Sequence, residues 1–227
     1  MLGDKTFLAV IPARGASKRV PRKNALLLGD KPLIAWSIEA AKKSRYIDRV
    51  VVSSDDDEIL SIAKEFGADM LKRPKELATD TATTFDTIVH VIENMEKSYE
   101  YIVLLQPTSP LRESIDIDEA IEMLEQKGAD GVVSVCEMEH SPLWSNTLPD
   151  DMSMQNFLKD EVINKRSQDL QKYYRLNGAI YIVKIDKFLK QKSLFLDKNT
   201  FAFEMSQERS IDIDTKLDFK IANSLIF

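Results

Sequence analysis

Apolar strand-like runs alternate with amphipathic helical segments between Phe7 and Cys136, and this alternation constrains the fold more than any other feature. Residues 7–11 are a short apolar run, the pattern of a buried strand. Pro32, a good first-turn residue, opens a helix that carries Leu33, Trp36, Ile38, Ala40 and Ala41. Val50, Val51 and Val52 form a second strand that ends at Ser53-Ser54. Asp55 is expected to cap a helix through Phe66, with Ile59, Ile62, Ala63 and Phe66 on one face and Gly67 just past its end. Further along, the spacing predicts a helix over roughly 84–97, a strand over 101–105, a helix over 117–126 stopped near Gly128, and a strand over 131–136. Such alternation predicts an α/β fold with a mostly parallel sheet. Ligands of such sheets bind beyond the carboxyl ends of the strands. Three segments are expected there: residues 12–24, the region after Lys72, and residues 106–112.

The pattern breaks after Glu137. Residues 138–175 hold Pro142, Trp144, Pro149, Tyr173-Tyr174 and several methionines with weak periodicity, which reads as an inserted arm. A strand-like run returns at 178–183, and residues 215–227 read as a closing helix with Leu217, Phe219, Ile221, Ala222 and Leu225 apolar. With 227 residues and 44% hydrophobic content, the expectation is one domain over 1–227, with the arm as an appended element. The single cysteine, Cys136, excludes an intrachain disulfide. No apolar run approaches the ~20 residues needed to cross a bilayer. With no targeting signal visible, a cytoplasmic location without membrane contact is expected.

The formal net charge is −6, a poor starting point for nucleic-acid binding, which depends on neutralising phosphates. The charge is unevenly spread. No acidic residue occurs between Lys5 and Gly29, a window that holds Lys5, Arg14, Lys18, Arg19, Arg22 and Lys23. A local basic cluster on an acidic chain points to a small polyanionic ligand.

That cluster lies in Ile11-Pro12-Ala13-Arg14-Gly15-Ala16-Ser17-Lys18-Arg19-Val20-Pro21-Arg22-Lys23-Asn24. Small residues let backbone N–H groups approach a ligand, and the cations neutralise it, as a triphosphate requires. The segment is neither a Walker A loop nor a G-x-G-x-x-G fingerprint. The bland alternative is a solvated basic loop. Gln106-Pro107-Thr108-Ser109-Pro110-Leu111-Arg112 is a stiff polar loop after a buried strand, suited to substrate positioning or simply to a turn. In Ser210-Ile211-Asp212-Ile213-Asp214, a strand conformation puts Asp212 and Asp214 on one face. Paired carboxylates of this kind suit a hard cation such as Mg²⁺; the alternative is Asp214 as a helix cap with Asp212 solvated. His140 and Cys136 lack a zinc spacing, and His90 falls within a helix.

Together with RPKELATDTATT from Arg73 and LNGAIYI from Leu176, these three segments form five ordered motifs. Over nearly its full length the chain resembles the CMP-sialic acid synthetases, or acylneuraminate cytidylyltransferases. The resemblance implies a Rossmann-like nucleotidyltransferase domain, a homodimer with an exchanged arm over 138–175, CTP and an acidic nine-carbon sugar as substrates, and Mg²⁺ as cofactor. It implies that Arg14, Ser17, Lys18 and Lys23 hold the triphosphate, with Arg14, Lys18 and Lys23 catalytic. Asn24, Arg73, Ala82 and Thr84 fall where the family holds cytidine. Gln106, Ser109 and Arg112 fall at the sugar, Arg166 and Arg175 are candidates for its carboxylate, and Asp212 and Asp214 match the metal ligands.

One departure stands out. Many sialic acid enzymes carry His-His-Pro-x-Lys where this chain has His140-Ser141-Pro142-Leu143-Trp144. Trp144 cannot neutralise a carboxylate but can pack on an acyl or deoxy group, which brings legionaminic acid forward as a substrate. Rival expectations are CMP-Kdo synthesis, disfavoured because SKRVPRKN departs from the usual STRLPGKPL, pseudaminate activation, and a non-catalytic nucleotide-binding module on the same fold. Retention of Lys23, Asp212 and Asp214 argues against the last of these.

Overall fold

The computed structural model describes residues 5–17, 19–79 and 81–226. In chain order the elements are β1 (Phe7–Pro12), β2 (Leu27–Leu28), β3 (Lys31–Pro32), α1 (Leu33–Lys43), β4 (Arg49–Ser54), α2 (Asp57–Glu65), β5 (Asp69–Lys72) and α3 (Thr84–Glu93). There follow β6 (Tyr101–Leu104), α4 (Ser114–Lys127), β7 (Gly131–Glu137), β8 (Tyr174–Lys184), α5 (Ile185–Gln191), β9 (Thr200–Glu204) and α6 (Lys216–Leu225).

Seven strands form one sheet in the order β5-β4-β1-β6-β8-β7-β9, and β2 and β3 make a separate short hairpin. β8 pairs antiparallel with both β6 and β7, whereas every other pairing in the large sheet is parallel. The mostly parallel α/β architecture therefore matches the sequence expectation. Side chains alternate across the sheet as the strand period requires. Phe7, Ala9 and Ile11 of β1 join Ile34, Ile38, Ile62, Ile117 and Ile121 under α1, α2 and α4. Leu8 and Val10 join Ile88, Val91 and Phe188 under α3 and α5. Burial on both faces explains why β1, β4 and β6 read as unbroken apolar runs.

Where the boundaries differ from expectation, local chemistry accounts for it. Asp56 rather than Asp55 caps α2, its carboxylate accepting the N–H groups of Glu58 and Ile59. Asp55 instead accepts the Gly15 N–H at 3.0 Å. β5 and β9 escape sequence reading because they are the sheet edges and carry polar residues such as Asp69, Lys72, Thr200 and Glu204. α3 stops at Glu93, short of the expected Lys97, as the Asn94 side chain turns back to the His90 carbonyl. The stretch 138–173 contains only short 3₁₀ turns at Pro142–Trp144 and Ser167–Asp169. Tyr174 and Arg175, placed in the arm by sequence, belong to β8.

Candidate active site

The loop after β1 is folded by its own backbone. Ala13 N–H donates to the Ser53 carbonyl at 3.0 Å, which ties the loop to the end of β4. Gly15 passes so close to α2 that a Cβ there would lie 2.6 Å from Asp56 Oδ2 and 2.8 Å from its Cβ. Only glycine lets the loop close on that helix. The Asn24 amide donates to the Arg14 carbonyl at 3.1 Å, and its buried Oδ1 is left as an acceptor with no partner among the described residues. Arg14, Ser17, Arg19 and Lys23 then line one wall of a cleft of about 590 Å³, a size suited to a nucleotide. Arg22 turns away through a left-handed backbone (φ 54°) and pairs with Asp56 and Glu58. Lys18 lies outside the described residues.

The far wall comes from the segment after β5 and the start of α3, including Ala82, Thr83, Thr84 and Thr87. Thr83 and Asp86 form a reciprocal capping box that fixes the first turn of α3. Arg73 lines the cleft but is buried. Its guanidinium donates to the Ser53 carbonyl at 2.9 Å and Thr87 Oγ1 at 3.2 Å, locking β4 to α3. Burial pulls that guanidinium below its usual pKa, the charge of Arg14 adds to the effect, and Asp55 opposes it.

The loop after β6 contributes Gln106, Pro107 and Thr108 to the cleft. Gly178 of β8 has φ +74°, and a Cβ there would lie 2.8 Å from Gln106 Oε1. This glycine gives the Gln106 side chain its seat. Ser109 is buried, and its hydroxyl donates to the Asn177 carbonyl at 3.3 Å. Arg112 is also buried. It donates to the Ala179 carbonyl at 2.9 Å and Ser37 Oγ at 2.6 Å, so the structure does not bring its guanidinium to the cleft. Burial lowers its pKa to about 10. Arg112 thus cross-links β8 and α1 rather than presenting a charge to a sugar. A long side chain follows the acceptors around it, and the buried carbonyls here need a donor.

Residues 211–214 form no strand, contrary to expectation, yet the alternation survives. Ile213 is buried among Leu28, Leu33 and Ala222, and its N–H donates to the Thr108 carbonyl at 2.8 Å. Asp212 and Asp214 flank it and stay exposed. Lys23 Nζ donates to the Ile213 carbonyl and lies 3.6 Å from Asp214 Oδ1, while Arg19 Nη1 sits 3.2 Å from Asp214 Oδ2. Asp214 does not cap α6; Thr215 does. Asp212 keeps one face in solvent, but surrounding protein and the charge of Asp214 push its carboxyl above the usual range, against the Thr108 hydroxyl and Lys23. Two carboxylates that flank one buried residue, with Asp214 lining the basic cleft, are a donor set that fits Mg²⁺, which takes one or two carboxylates plus phosphate oxygens.

Residues 8–225 match the family described as Cytidylyltransferase. The chain belongs to that family. This cytidylyltransferase family member is 39% identical over 216 residues to the N-acylneuraminate cytidylyltransferase of Escherichia coli O18:K1:H7, covering 95% of this chain and 51% of that protein. It is 37% identical over 230 residues to the CMP-N,N'-diacetyllegionaminic acid synthase of Legionella pneumophila, covering 97% and 96%. The chain spans about half the length of the first curated relatives it matches and nearly the whole of the Legionella protein. Its fold is shared with a CMP:2-keto-3-deoxy-manno-octonic acid synthetase solved with CTP, at TM-score 0.74, 18% identity and 98% coverage of both chains.

Of the expected site residues, Arg14, Ser17, Lys23, Asn24, Arg73, Ala82, Thr84, Gln106 and Asp214 line one cleft. Asp212 and Ser109 do not line it: Asp212 is exposed beside Ile213, and Ser109 is buried. Arg175 lies on β8, where its guanidinium pairs with Glu139 at 3.0 Å, and Arg166 is exposed in the stretch 138–173. Sequence reasoning missed Arg19 as a partner of Asp214, Asp55 as the acceptor that shapes the loop, and Thr87 as the partner of Arg73. A run of polar residues directly after the β4 strand was the available signal for Asp55. No helix among the described residues is long and apolar enough to cross a membrane.

Proposed function

We propose that this chain transfers the CMP group of CTP to the anomeric hydroxyl of an acidic nine-carbon sugar. The hydroxyl oxygen attacks the α-phosphorus, the bond to the β-phosphate oxygen breaks, and pyrophosphate and a proton leave. The observation that carries this reading is the meeting of the basic loop with the acidic segment, Lys23 and Arg19 against Asp214, at the carboxyl ends of parallel strands.

Arg14 and Ser17, with Lys18, hold the triphosphate, and Lys23 stabilises charge developing on the phosphates. In-line positioning and charge neutralisation suffice for attack at phosphorus without a covalent nucleophile. The unpartnered Asn24 Oδ1 accepts a donor from the cytidine, beside Ala82 and Thr84. Gln106 orients the sugar. Asp212 and Asp214 would hold Mg²⁺, which would supply Lewis acidity to the phosphate chemistry. Arg175 and Arg166 are candidates for the sugar carboxylate. The arm joins two copies as a homodimer, and the reaction is placed in the cytoplasm, with neither nucleic acid nor membrane as partner. Sedimentation as a monomer would remove the dimer from this reading.

Trp144 replaces the lysine of the sialic acid enzymes, and nearly all of the Legionella relative is matched. The tryptophan favours a legionaminate-type acid over N-acetylneuraminate. Pyrophosphate release with CTP and Mg²⁺, measured against N-acetylneuraminate, legionaminate, pseudaminate and Kdo, tests the proposal. Release with a nine-carbon acid, lost in Lys23→Ala, is expected. Preference for Kdo, or CTP binding without release for any sugar, overturns it.

A further inference from the structure

Asn177 lies on β8 at the cleft end of the sheet and is 1% exposed. Every hydrogen-bonding position of its amide is used. Its Oδ1 accepts from Ser134 Oγ at 2.6 Å and the Ala179 N–H at 3.2 Å. Its Nδ2 donates to Ser210 Oγ at 2.9 Å and Met205 Sδ at 3.3 Å. Ser210, fully buried, donates its own hydroxyl to the Ser206 carbonyl at 2.6 Å. Neither Asn177, Ser134 nor Ser210 lines the cleft. Apolar side chains would fill this space without the desolvation cost of four polar groups. A fully satisfied polar network in such a place fixes direction and register.

The register it fixes is that of the acidic segment. Ser210 stands two residues before Asp212, and the Ile213 N–H is tied to the Thr108 carbonyl one residue after it. Asp212 is therefore bracketed: one anchor leads to β8 through Asn177, the other to the loop after β6. The carbonyl of Asn177 also accepts from Ser109 Oγ, so both anchors converge on one residue of β8. We propose that Asn177 is a positioning residue, acting through Ser210 to hold Asp212 and Asp214 in register for a divalent cation. The proposal rests on the metal reading of those two carboxylates. Outer partners of metal ligands typically contribute about 10–100-fold in metal affinity.

The test is calorimetric titration of CTP into the full chain, with no sugar present, once in Mg²⁺ and once in EDTA. The ratio of the two affinities is the metal-dependent gain. Ser210→Ala, and Asn177→Ala if it folds by circular dichroism, are expected to shrink that gain about 10-fold while leaving CTP affinity in EDTA within about twofold. Ser134→Ala cuts the same network on the side away from Asp212. It is expected to lower Tm comparably yet keep the gain. Equal loss of the gain in Ser134→Ala and Ser210→Ala, or its survival in Ser210→Ala, overturns the positioning role. Absence of any gain in the wild type, or its persistence in Asp212→Asn, overturns the metal reading and the positioning role with it.

Discussion

The loops after β1 and β6 occupy equivalent places beyond the ends of neighbouring parallel strands, and each carries a buried cation. They use it in opposite ways. Lys23 reaches across to the Ile213 carbonyl and Asp214 at the cleft wall. Arg112 points into the protein and spends its guanidinium on Ala179, Ser37 and Gln106. The first charge lines the cleft, and the second braces the loop and strand behind it. A cation in a strand-end loop therefore marks a site only when the neighbouring elements leave it something to neutralise.

Substitutions sharpen this contrast. Lys23→Ala is expected to lower kcat by roughly 100-fold or more, the scale of losing one charge-stabilising donor, with Tm falling only a few degrees. Steady-state kinetics beside a thermal melt checks it, and a collapsed fold would place Lys23 with Arg112 instead. Arg112→Ala should do the reverse, leaving several buried acceptors unpaired at about 3–5 kcal/mol, or a Tm drop of roughly 10 °C. If its Tm is unchanged and only the sugar KM rises, the division between the loops fails. A smaller effect is expected from Gly178→Ala, at about 1–2 kcal/mol for the left-handed backbone. Displacement of Gln106 should raise the KM for sugar more than that for CTP; a uniform change would detach Gly178 from the sugar side.

The smallest effect separates two aspartates of the acidic segment by pH. Burial pushes Asp218 up, but the N–H and hydroxyl of Thr215 and the Asp214 N–H outweigh it and hold the carboxyl below its usual range. Its stabilising contribution is present above the ordinary aspartate pKa of about 4 and is lost as pH falls through the depressed value. Asp212 has the opposite sign. Its raised carboxyl takes a proton more readily when folded, so its ionisation costs stability as pH rises from the ordinary value through the raised one. At neutral pH, Asp212→Asn should therefore raise Tm slightly in metal-free buffer, and Asp218→Asn should lower it. Melts of both variants between pH 3 and pH 8 settle the pair, and a drop in Tm for Asp212→Asn would contradict the assignment.

Much of this was legible in residue pattern. β1, β4, β6 and β7 are buried on both faces or nearly so, and their apolar runs show it. The edges β5 and β9 are short and partly solvated, so their patterns resemble loops. The period-2 reasoning for Asp212 and Asp214 survives without a strand, because Ile213 needs burial and its neighbours do not. Side-chain direction was not legible. Nothing in Gln106-Pro107-Thr108-Ser109-Pro110-Leu111-Arg112 tells that the arginine turns inward, since the acceptors that draw it belong to α1 and to β8. The Asn177 network was hidden for the same reason: its members come from β7, β8 and the stretch before α6.

The reversed direction of β8 has a consequence for how such a protein diversifies. β7 ends at Glu137 beside Tyr174, where β8 begins, so the long connection between them leaves and returns at the same end of the sheet as the cleft. Both anchor points belong to one antiparallel pair, and no strand has to move when the connection changes length or composition. The segment 138–173 is thus a cassette plugged into a fixed socket. A change within it leaves untouched the cleft wall formed by Arg14, Ser17 and Lys23, which rests on strands of the other half of the sheet.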